Sequence, residues 1–260
     1  MTHVLAGAPL PGPEASRDLG APRCVVAIGA HPDDIEFHCG ATLARWSAAG
    51  AVVHLVICTD GSKGTWDTAA DPAEVARHRA AEAADAASAL GATGEVLLLG
   101  AVDGELAAAC APGAGGALHD ELVGVLRRLR PDVVLGHDPW RRYRLHPDHR
   151  AAGFLTVDAC VAARDPHFVP DRGPSHRPAW LLLFEADEPD HVEVTTPDAL
   201  RTKVDALLAH RSQWRSTMAI DDADDGTAAN AFAEGVTAAA TEVGTAAGTG
   251  PAESFRRLAL

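Results

Sequence analysis

Residues 25–40 read VVAIGAHPDDIEFHCG, and this segment gives the clearest indication of the fold. It begins with an unbroken apolar run, which is typical of a central strand buried on both faces of a parallel sheet. The run ends at His31, which is followed by Pro32 and by two adjacent carboxylates, Asp33 and Asp34. Because ligands bind at the carboxyl ends of the strands in such sheets, this turn is the first candidate for a functional site.

A second cluster of similar composition occurs at residues 144–150, RLHPDHR, after the strand-like run at 132–136. Imidazole and carboxylate groups, with one position left for water, form the ligand set of catalytic zinc sites. His31 and Asp34 can turn towards one point, and a third ligand would come from the second cluster. The residues alone leave open whether Asp33 or Asp34 binds the metal.

Strand-like and helix-like segments alternate along the chain. This pattern predicts an α/β fold, a single Rossmann-like domain with a mostly parallel sheet and helices on both faces. The predicted strands are residues 23–30, 52–58, 95–99, 132–136, 180–184 and 191–194. The predicted helices are residues 40–49, 73–90, 118–129, 151–163 and 198–215. Polar residues follow four different strands, so we expect one rim of the sheet to gather His31, Asp60, Asp103 and Asp138.

The two ends of the chain differ in composition from this domain, which we place at residues 23–220. Residues 1–22 are rich in proline and are predicted to form a loose arm on the surface. Residues 221–250 contain mainly Ala, Thr, Gly and acidic residues, which is typical of a flexible or weakly helical tail. Residues 251–260 contain Phe255 and Leu258 and are expected to dock back as a short C-terminal helix.

Composition limits the classes of partner and compartment. The chain has 260 residues and a formal net charge of −14, which argues against nucleic acid or an anionic membrane surface as a partner and otherwise favours solubility. Its five cysteines are widely spaced, as expected for reduced thiols rather than for a disulfide framework. The sequence contains neither an apolar stretch of about 18 residues nor a basic, apolar leader, so we expect a cytoplasmic protein.

The paired clusters resemble those of a known family, the PIG-L/LmbE-like zinc-dependent N-acetylglucosaminyl deacetylases. The resemblance rests on residues 30–34, AHPDD, and on residues 146–149, HPDH. It extends over roughly residues 23–215 through Thr59-Asp60-Gly61, Arg79-x-x-Glu82, Asp103-Gly104-Glu105-Leu106, Asp138-Pro139-Trp140 and His210-Arg211-Ser212-Gln213. Residues 138–148 and 210–213 are most similar to the diacetylchitobiose deacetylase branch.

The resemblance implies one Zn²⁺ per chain, bound by His31, Asp34 and His149, with a position left for a water whose pKa zinc lowers towards neutrality. It makes Asp33 the general base that takes the proton of this water, although from the residues alone Asp33 could equally support a ligand histidine. It places His146 across the site, where it could stabilise the oxyanion as an imidazolium or protonate the departing amine. Which of Asp33 and His146 protonates the amine is left open.

Asp148 is expected to assist catalysis by orienting His146. Substrate binding is expected from side chains near the rim, namely Arg79, Asp103, Trp140 and Tyr143. An arginine fork and a carboxylate suit hydroxyl or phosphate groups, and aromatic faces stack on sugar rings. The alternatives are that Arg79 is solvated or pairs with Glu82, and that Trp140 packs in the core.

Two positions depart from the family pattern. Arg144 stands where the mycothiol-pathway deacetylases carry a tyrosine, and the neighbouring Tyr143 fits the diacetylchitobiose branch. That branch also takes a histidine from a neighbouring subunit near its C-terminus, whereas this chain has no histidine after His210. A homo-oligomer is therefore neither required nor excluded.

The sequence thus predicts a zinc-dependent hydrolase that removes the acetyl group from a small N-acetylated amino sugar. An alternative within the same chemistry is an amidase that acts on a thiol conjugate or an antibiotic precursor. A nucleotide-binding module without hydrolase activity belongs to a different class, and the turn at residues 31–34 disfavours it because two carboxylates replace the glycines that cradle a pyrophosphate. A metal-binding but inactive scaffold is disfavoured because every expected catalytic position is filled.

Overall fold

The computed structural model describes residues 9–110 and 116–260. Over these residues the chain forms one eight-stranded sheet with helices on both faces. The strands are β1 (Ser16–Arg17), β2 (Cys24–Gly29), β3 (Val52–Thr59), β4 (Val96–Ala101), β5 (Val133–His137), β6 (Trp180–Phe184), β7 (His191–Val194) and β8 (Ala252–Ala259). The helices are α1 (Asp34–Ala48), α2 (Pro72–Ala89), α3 (Leu106–Ala109), α4 (Ala117–Leu129), α5 (Pro147–Arg164), α6 (Pro197–Ala209) and α7 (Thr227–Ala246).

The order of the strands across the sheet is β1-β7-β8-β6-β5-β2-β3-β4. Neighbouring strands are parallel except around β8, which is antiparallel to β6 and β7. Strand β2 lies between β3 and β5, so the chain first builds the sheet on one side of β2 and later returns to its other side. Ligands bind in the crevice at such a reversal, and the carboxyl end of β2 leads directly to His31.

Strand β2 is buried on both faces, because its side chains alternate between two apolar layers. Val25 and Ala27 pack with residues of α1, α2 and α6 on one face of the sheet. Val26 and Ile28 pack with residues of α4 and α5 on the other face. The predicted fold class, an α/β domain with a mostly parallel sheet and helices on both faces, is therefore confirmed.

Helix α5 approaches the end of β5 closely because residue 153 is a glycine. A Cβ atom at Gly153 would lie 2.8 Å from the carbonyl oxygen of His137, which is closer than such contacts occur in proteins. Pro147 begins the helix, where the missing N–H of proline costs no helical hydrogen bond. The first turn of α5 therefore brings the second His/Asp cluster to the rim of the sheet.

The C-terminal part of the chain corrects two predictions. Residues 252–259 form strand β8 rather than a helix, because β6 and β7 leave room for a strand between them and β8 pairs with both. Residues 227–246 form the 20-residue helix α7 rather than a flexible or weakly helical tail. Its alanines favour the helix, and Phe232 and Val236 are buried against residues of α1 and α6, which stabilises it.

Other boundaries differ more modestly. Helix α1 begins at Asp34 rather than at residue 40, so the carboxylate of Asp34 lies in the first helical turn. Helix α6 ends at Ala209, before the turns that include residues 210–218. Residues 1–8 of the predicted N-terminal arm lie outside the described part. Strand β1, which also belongs to this arm, pairs with β7. Across the two described ranges, no helix is both long and apolar enough to cross a membrane.

Candidate active site

Hydrogen bonds hold the turn after β2 from two sides. The backbone N–H of His31 donates to Asp34 Oδ2 over 2.7 Å. The buried guanidinium of Arg79 donates to the carbonyl oxygen of Pro32. Asp33 has a φ of 107°, a conformation that costs a non-glycine residue roughly 1–3 kcal/mol.

The side chains of His31, Asp34 and His149 meet at one point. His31 Nδ1 lies 3.4 Å from Asp34 Oδ2, and His149 Nε2 lies 3.3 Å from both Asp34 Oδ1 and His31 Nδ1. Three ligands of a tetrahedral zinc ion, with bonds of about 2.0–2.1 Å, are roughly 3.3 Å apart. The two imidazoles and the carboxylate therefore have the chemistry and the spacing that fit a zinc ion.

The other ring nitrogen of His31 faces two carboxylates. His31 Nε2 lies 3.2 Å from Asp103 Oδ1 and 3.3 Å from Asp148 Oδ2. Burial would lower the pKa of His31, but these bonds raise it well above its usual value. A carboxylate on Nε2 holds a proton there, so a metal that displaces the second proton of the ring would bind at Nδ1.

This arrangement corrects the role expected for Asp148. Its carboxylate accepts the backbone N–H of Gly104 over 2.6 Å and contacts His31, so it orients His31 rather than His146. Asp148 contacts His146 only through its backbone, whose N–H donates to His146 Nδ1 over 3.3 Å. The difference arises because Asp148 lies in the first turn of α5 and is fully buried against the loop after β4.

Asp33 is a buried carboxylate next to the three clustered donors. Its Oδ2 lies 3.3 Å from Nη2 of Arg79. Burial raises the pKa of Asp33 to about 6, with Arg79 opposing the shift and the neighbouring Asp34 adding to it. A carboxylate with such a pKa is ionised at neutral pH and can accept and return a proton, which suits a general base.

His146 caps α5 and lies against both histidines of the cluster. Its ring is edge-on to His31, with centroids 4.6 Å apart, and stacks on His149 at 4.9 Å. Burial and the neighbouring His31 lower the pKa of His146, which disfavours the imidazolium form that the resemblance suggested. Because Asp148 N–H occupies Nδ1, the neutral ring carries its proton on Nε2 and can donate it as a hydrogen bond.

These groups line a cavity of about 370 Å³. The wall of this cavity also contains three polar residues that were not predicted from the sequence, namely Lys63, Gln213 and Thr217. Larger clefts of about 820 and 770 Å³ lie along the outer faces of α7 and α5. Neither contains the clustered His and Asp donors, so the smaller cavity is the candidate active site.

The predicted substrate-binding residues divide into two pairs. Arg79 and Asp103 line the cavity, but their polar atoms also hold Asp33 and His31 in place. Trp140 is 56% exposed and packs edge-on against Phe154, and Tyr143 is 92% exposed. Neither aromatic residue lines the cavity, so the structure does not bring them to the clustered histidines.

A further group of polar residues lies behind the cluster, on the side of β5 and β6, and was not assigned from the sequence. His137 Nε2 lies 3.2 Å from Asp34 Oδ2, and its Nδ1 lies 3.3 Å from Glu185 Oε2. Burial would raise the pKa of Glu185, but His38, His137 and Arg144 hold it well below its usual value. His137 ends β5 and Glu185 follows β6, so the strand-end rule that selected Asp103 could have found both.

Comparison with known proteins gives a consistent result. The family described as PIG-L, GlcNAc-PI de-N-acetylase, matches residues 26–160. A diacetylchitobiose deacetylase of Thermococcus kodakarensis is 31% identical over 203 residues, which cover 73% of this chain and 70% of that protein. A 1D-myo-inositol 2-acetamido-2-deoxy-alpha-D-glucopyranoside deacetylase of Actinosynnema mirum is 31% identical over 233 residues, which cover 75% of this chain and 82% of that protein.

A solved structure shows the same architecture. The N,N'-diacetylchitobiose deacetylase of Pyrococcus horikoshii superposes with a TM-score of 0.77 at 28% sequence identity. The superposition covers 92% of this chain and 84% of that chain. The similarity therefore extends over most of the fold.

Proposed function

The chain belongs to the PIG-L family of de-N-acetylases, as the resemblance of its two His/Asp clusters predicted, and we propose here how its candidate active site works. The chain is accordingly a hydrolase of N-acetyl groups. We propose that it converts an N-acetylglucosamine-type sugar or conjugate to the free amine and acetate, and that His31, Asp34 and His149 hold one zinc ion.

One observation carries this proposal. His31 Nδ1 lies 3.4 Å from Asp34 Oδ2, and His149 Nε2 lies 3.3 Å from both Asp34 Oδ1 and His31 Nδ1, and these pairwise distances are close to those between ligands of a tetrahedral zinc ion. The carboxylates behind His31 Nε2 add support, because metal-binding histidines commonly donate their second N–H to a carboxylate. A bound zinc ion would supply a Lewis acid that polarises the acetyl carbonyl and makes a water molecule more acidic.

Asp33 serves as the general base in this proposal. As the water oxygen adds to the acetyl carbon, a water proton passes to the Asp33 carboxylate. The carbon–nitrogen bond then breaks, the proton passes from Asp33 to the departing amine, and acetate is released. The buried ion pair with Arg79 orients Asp33, and the raised pKa makes both accepting and returning the proton feasible near neutral pH.

His146 stabilises the charge that develops on the acetyl oxygen. Its Nδ1 is occupied by the Asp148 backbone N–H, so its Nε2–H is the group available to donate into the cavity. A donor placed where negative charge appears lowers the barrier, because it need not reorient during the reaction. In this proposal His146 acts as a neutral hydrogen-bond donor, which its lowered pKa favours, and Asp33 protonates the amine.

The substrate class follows from the relatives and from the cavity wall. Both relatives act on sugars that carry a 2-acetamido group, a diacetylchitobiose and a glucopyranosyl inositol. The cavity adds an ammonium, an amide and a hydroxyl group from Lys63, Gln213 and Thr217, which suit the hydroxyl groups of a sugar. Sugar binding by Arg79 and Asp103 remains part of the proposal.

Metal content measured together with acetate release tests this function. Purified protein that has never met a chelator is expected to contain about one zinc per chain and to release acetate from N-acetylglucosamine, diacetylchitobiose or an N-acetylglucosaminyl inositol. His149→Ala should abolish both, whereas the exposed His167→Ala should change neither. Wild-type protein without metal would overturn the zinc assignment, and metal without acetate release from any of the three would overturn the substrate class.

A further inference from the structure

His137 touches two of the three proposed zinc ligands. Its ring is fully buried at the end of β5 and stacks on the ring of His149, with centroids 4.4 Å apart and planes inclined by 18°. Its edge meets Asp34, with Nε2 lying 3.2 Å from Oδ2. The position of His137 therefore limits both where the His149 ring can lie and how the Asp34 carboxylate is turned.

Glu185 anchors His137 from the opposite side. Its Oε2 lies 3.3 Å from His137 Nδ1 and 3.1 Å from His38 Nε2, and its Oε1 accepts from Arg141 over 2.8 Å. Arg144 pairs with the same carboxylate. Glu185 has a φ of 58°, an uncommon conformation for a residue other than glycine, and its side chain is only 11% exposed.

Glu185 also neutralises positive charge beside the zinc site. Arg144 Nη2 lies 2.8 Å from Nδ1 of both His137 and His149. Without the Glu185 carboxylate, the charge of Arg144 beside the ligand His149 would be uncompensated and would repel a divalent cation. The removal of Glu185 therefore weakens cation binding in two ways, by freeing His137 and by exposing this charge.

We propose that Glu185 is a positioning residue for the zinc site, acting through His137 on Asp34 and His149 and through Arg144 on the local charge. On the β6 side Glu185 supports the zinc site through His137, and on the other side Asp103 and Asp148 support it by contacting the ligand His31 directly. This inference rests on the proposed function, because it presupposes that His31, Asp34 and His149 bind zinc. It assigns Glu185 no contact with the substrate.

A second metal ion held by His38, His137 and Glu185 is the competing reading of the same residues, whose donor atoms lie close together. The two arginines argue against it, because Arg141 and Arg144 already pair with the only carboxylate of this group. Zinc stoichiometry separates the two readings. About one zinc per chain supports positioning by Glu185, whereas two per chain, reduced to one in Glu185→Gln, would overturn it.

The affinity for zinc is the measurement that tests the positioning role. We would measure it by competition with a chromophoric chelator for wild type, Glu185→Gln, His137→Phe and the double variant. Glu193→Gln is the matched control, because Glu193 is likewise buried and bonded to a histidine and an arginine, His191 and Arg45, but contacts no proposed ligand. The melting temperatures of the metal-free proteins report the purely structural loss.

Zinc affinity should fall about 10–100-fold in Glu185→Gln and stay near the wild-type value in Glu193→Gln, with similar decreases in the melting temperatures of the two metal-free variants. Because Glu185 acts partly through His137, the double variant should lose less affinity than the product of the single losses. An affinity of Glu185→Gln within threefold of wild type, an equal loss in Glu193→Gln, or fully multiplicative losses would overturn the inference. Failure of the wild-type protein itself to bind zinc would instead overturn the proposed function.

Discussion

Replacement of Asp33 by asparagine should make the metal-free protein more stable while it removes activity. The pKa of Asp33 is about 6 in the folded protein against 3.8 for an unperturbed group, a difference of about two units. Each unit corresponds to about 1.4 kcal/mol, so keeping Asp33 ionised at pH 7 costs the fold about 3 kcal/mol. Asparagine has nearly the same shape and carries no charge. The pKa of about 6 already includes the attraction of Arg79, so Asp33→Asn should recover most of this free energy although it removes the partner of the Arg79 guanidinium.

The gain in stability has a defined pH dependence. Because the pKa is raised in the folded state, the stability contributed by the neutral form of Asp33 is fully present below about pH 3.8 and is lost as the pH rises through about 6. The advantage of Asp33→Asn over wild type should therefore be largest above pH 6 and vanish towards pH 4. At about 2–4 °C per kcal/mol, the melting temperature at pH 7 should rise by roughly 6–12 °C.

Calorimetry of wild type and Asp33→Asn, both freed of metal with a chelator, at pH 7 and near pH 4 checks the predicted gain in stability. Acetate release by the zinc-loaded proteins checks the predicted loss of activity. Loss of the general base should lower kcat by about 10²–10⁴-fold at unchanged zinc content. A variant no more stable than wild type at pH 7 would refute the assignment of the raised pKa to burial. A variant that retains activity within tenfold of wild type would refute the role of Asp33 as base.

Three further outcomes are expected. His146→Ala should lower kcat by about 100-fold or more in acetate release while its zinc affinity stays unchanged, because in the proposed mechanism His146 donates to the developing charge and is not one of the three zinc ligands. Lys203→Met should lower the free energy of unfolding, measured with urea, by about 3–5 kcal/mol. The reason is that the buried carboxylate of Glu253 loses the Lys203 ammonium, which lies 2.6 Å away. The double variant Lys203→Met/Glu253→Leu should recover much of this loss, because it removes the buried carboxylate as well. Trp140→Ala should leave KM for the best of the three sugars within threefold, since Trp140 lies outside the cavity, and a larger rise would restore its predicted role in binding sugar.

The α/β class and the place of the candidate site could both be predicted from the amino-acid sequence alone. Both come from patterns confined to a few neighbouring residues. The apolar run of β2 and the turn at residues 31–34 show a buried strand that ends in a histidine and two carboxylates. The carboxyl ends of buried parallel strands lie along one rim of the sheet. The sequence alone therefore predicted that the second cluster, at residues 146–149, lies opposite the first.

The conformation of the C-terminal residues and the groups that support the proposed ligands could not be predicted from the sequence, because both depend on packing between distant segments. Residues 252–259 become a strand because β6 and β7, both earlier in the chain, present unpaired backbone groups on either side of them. The carboxylate of Asp148 turns to His31, 117 residues away, and that of Glu185 turns to His137. Such pairings depend on how distant segments pack. A local sequence pattern does not predict which distant group a buried carboxylate will contact.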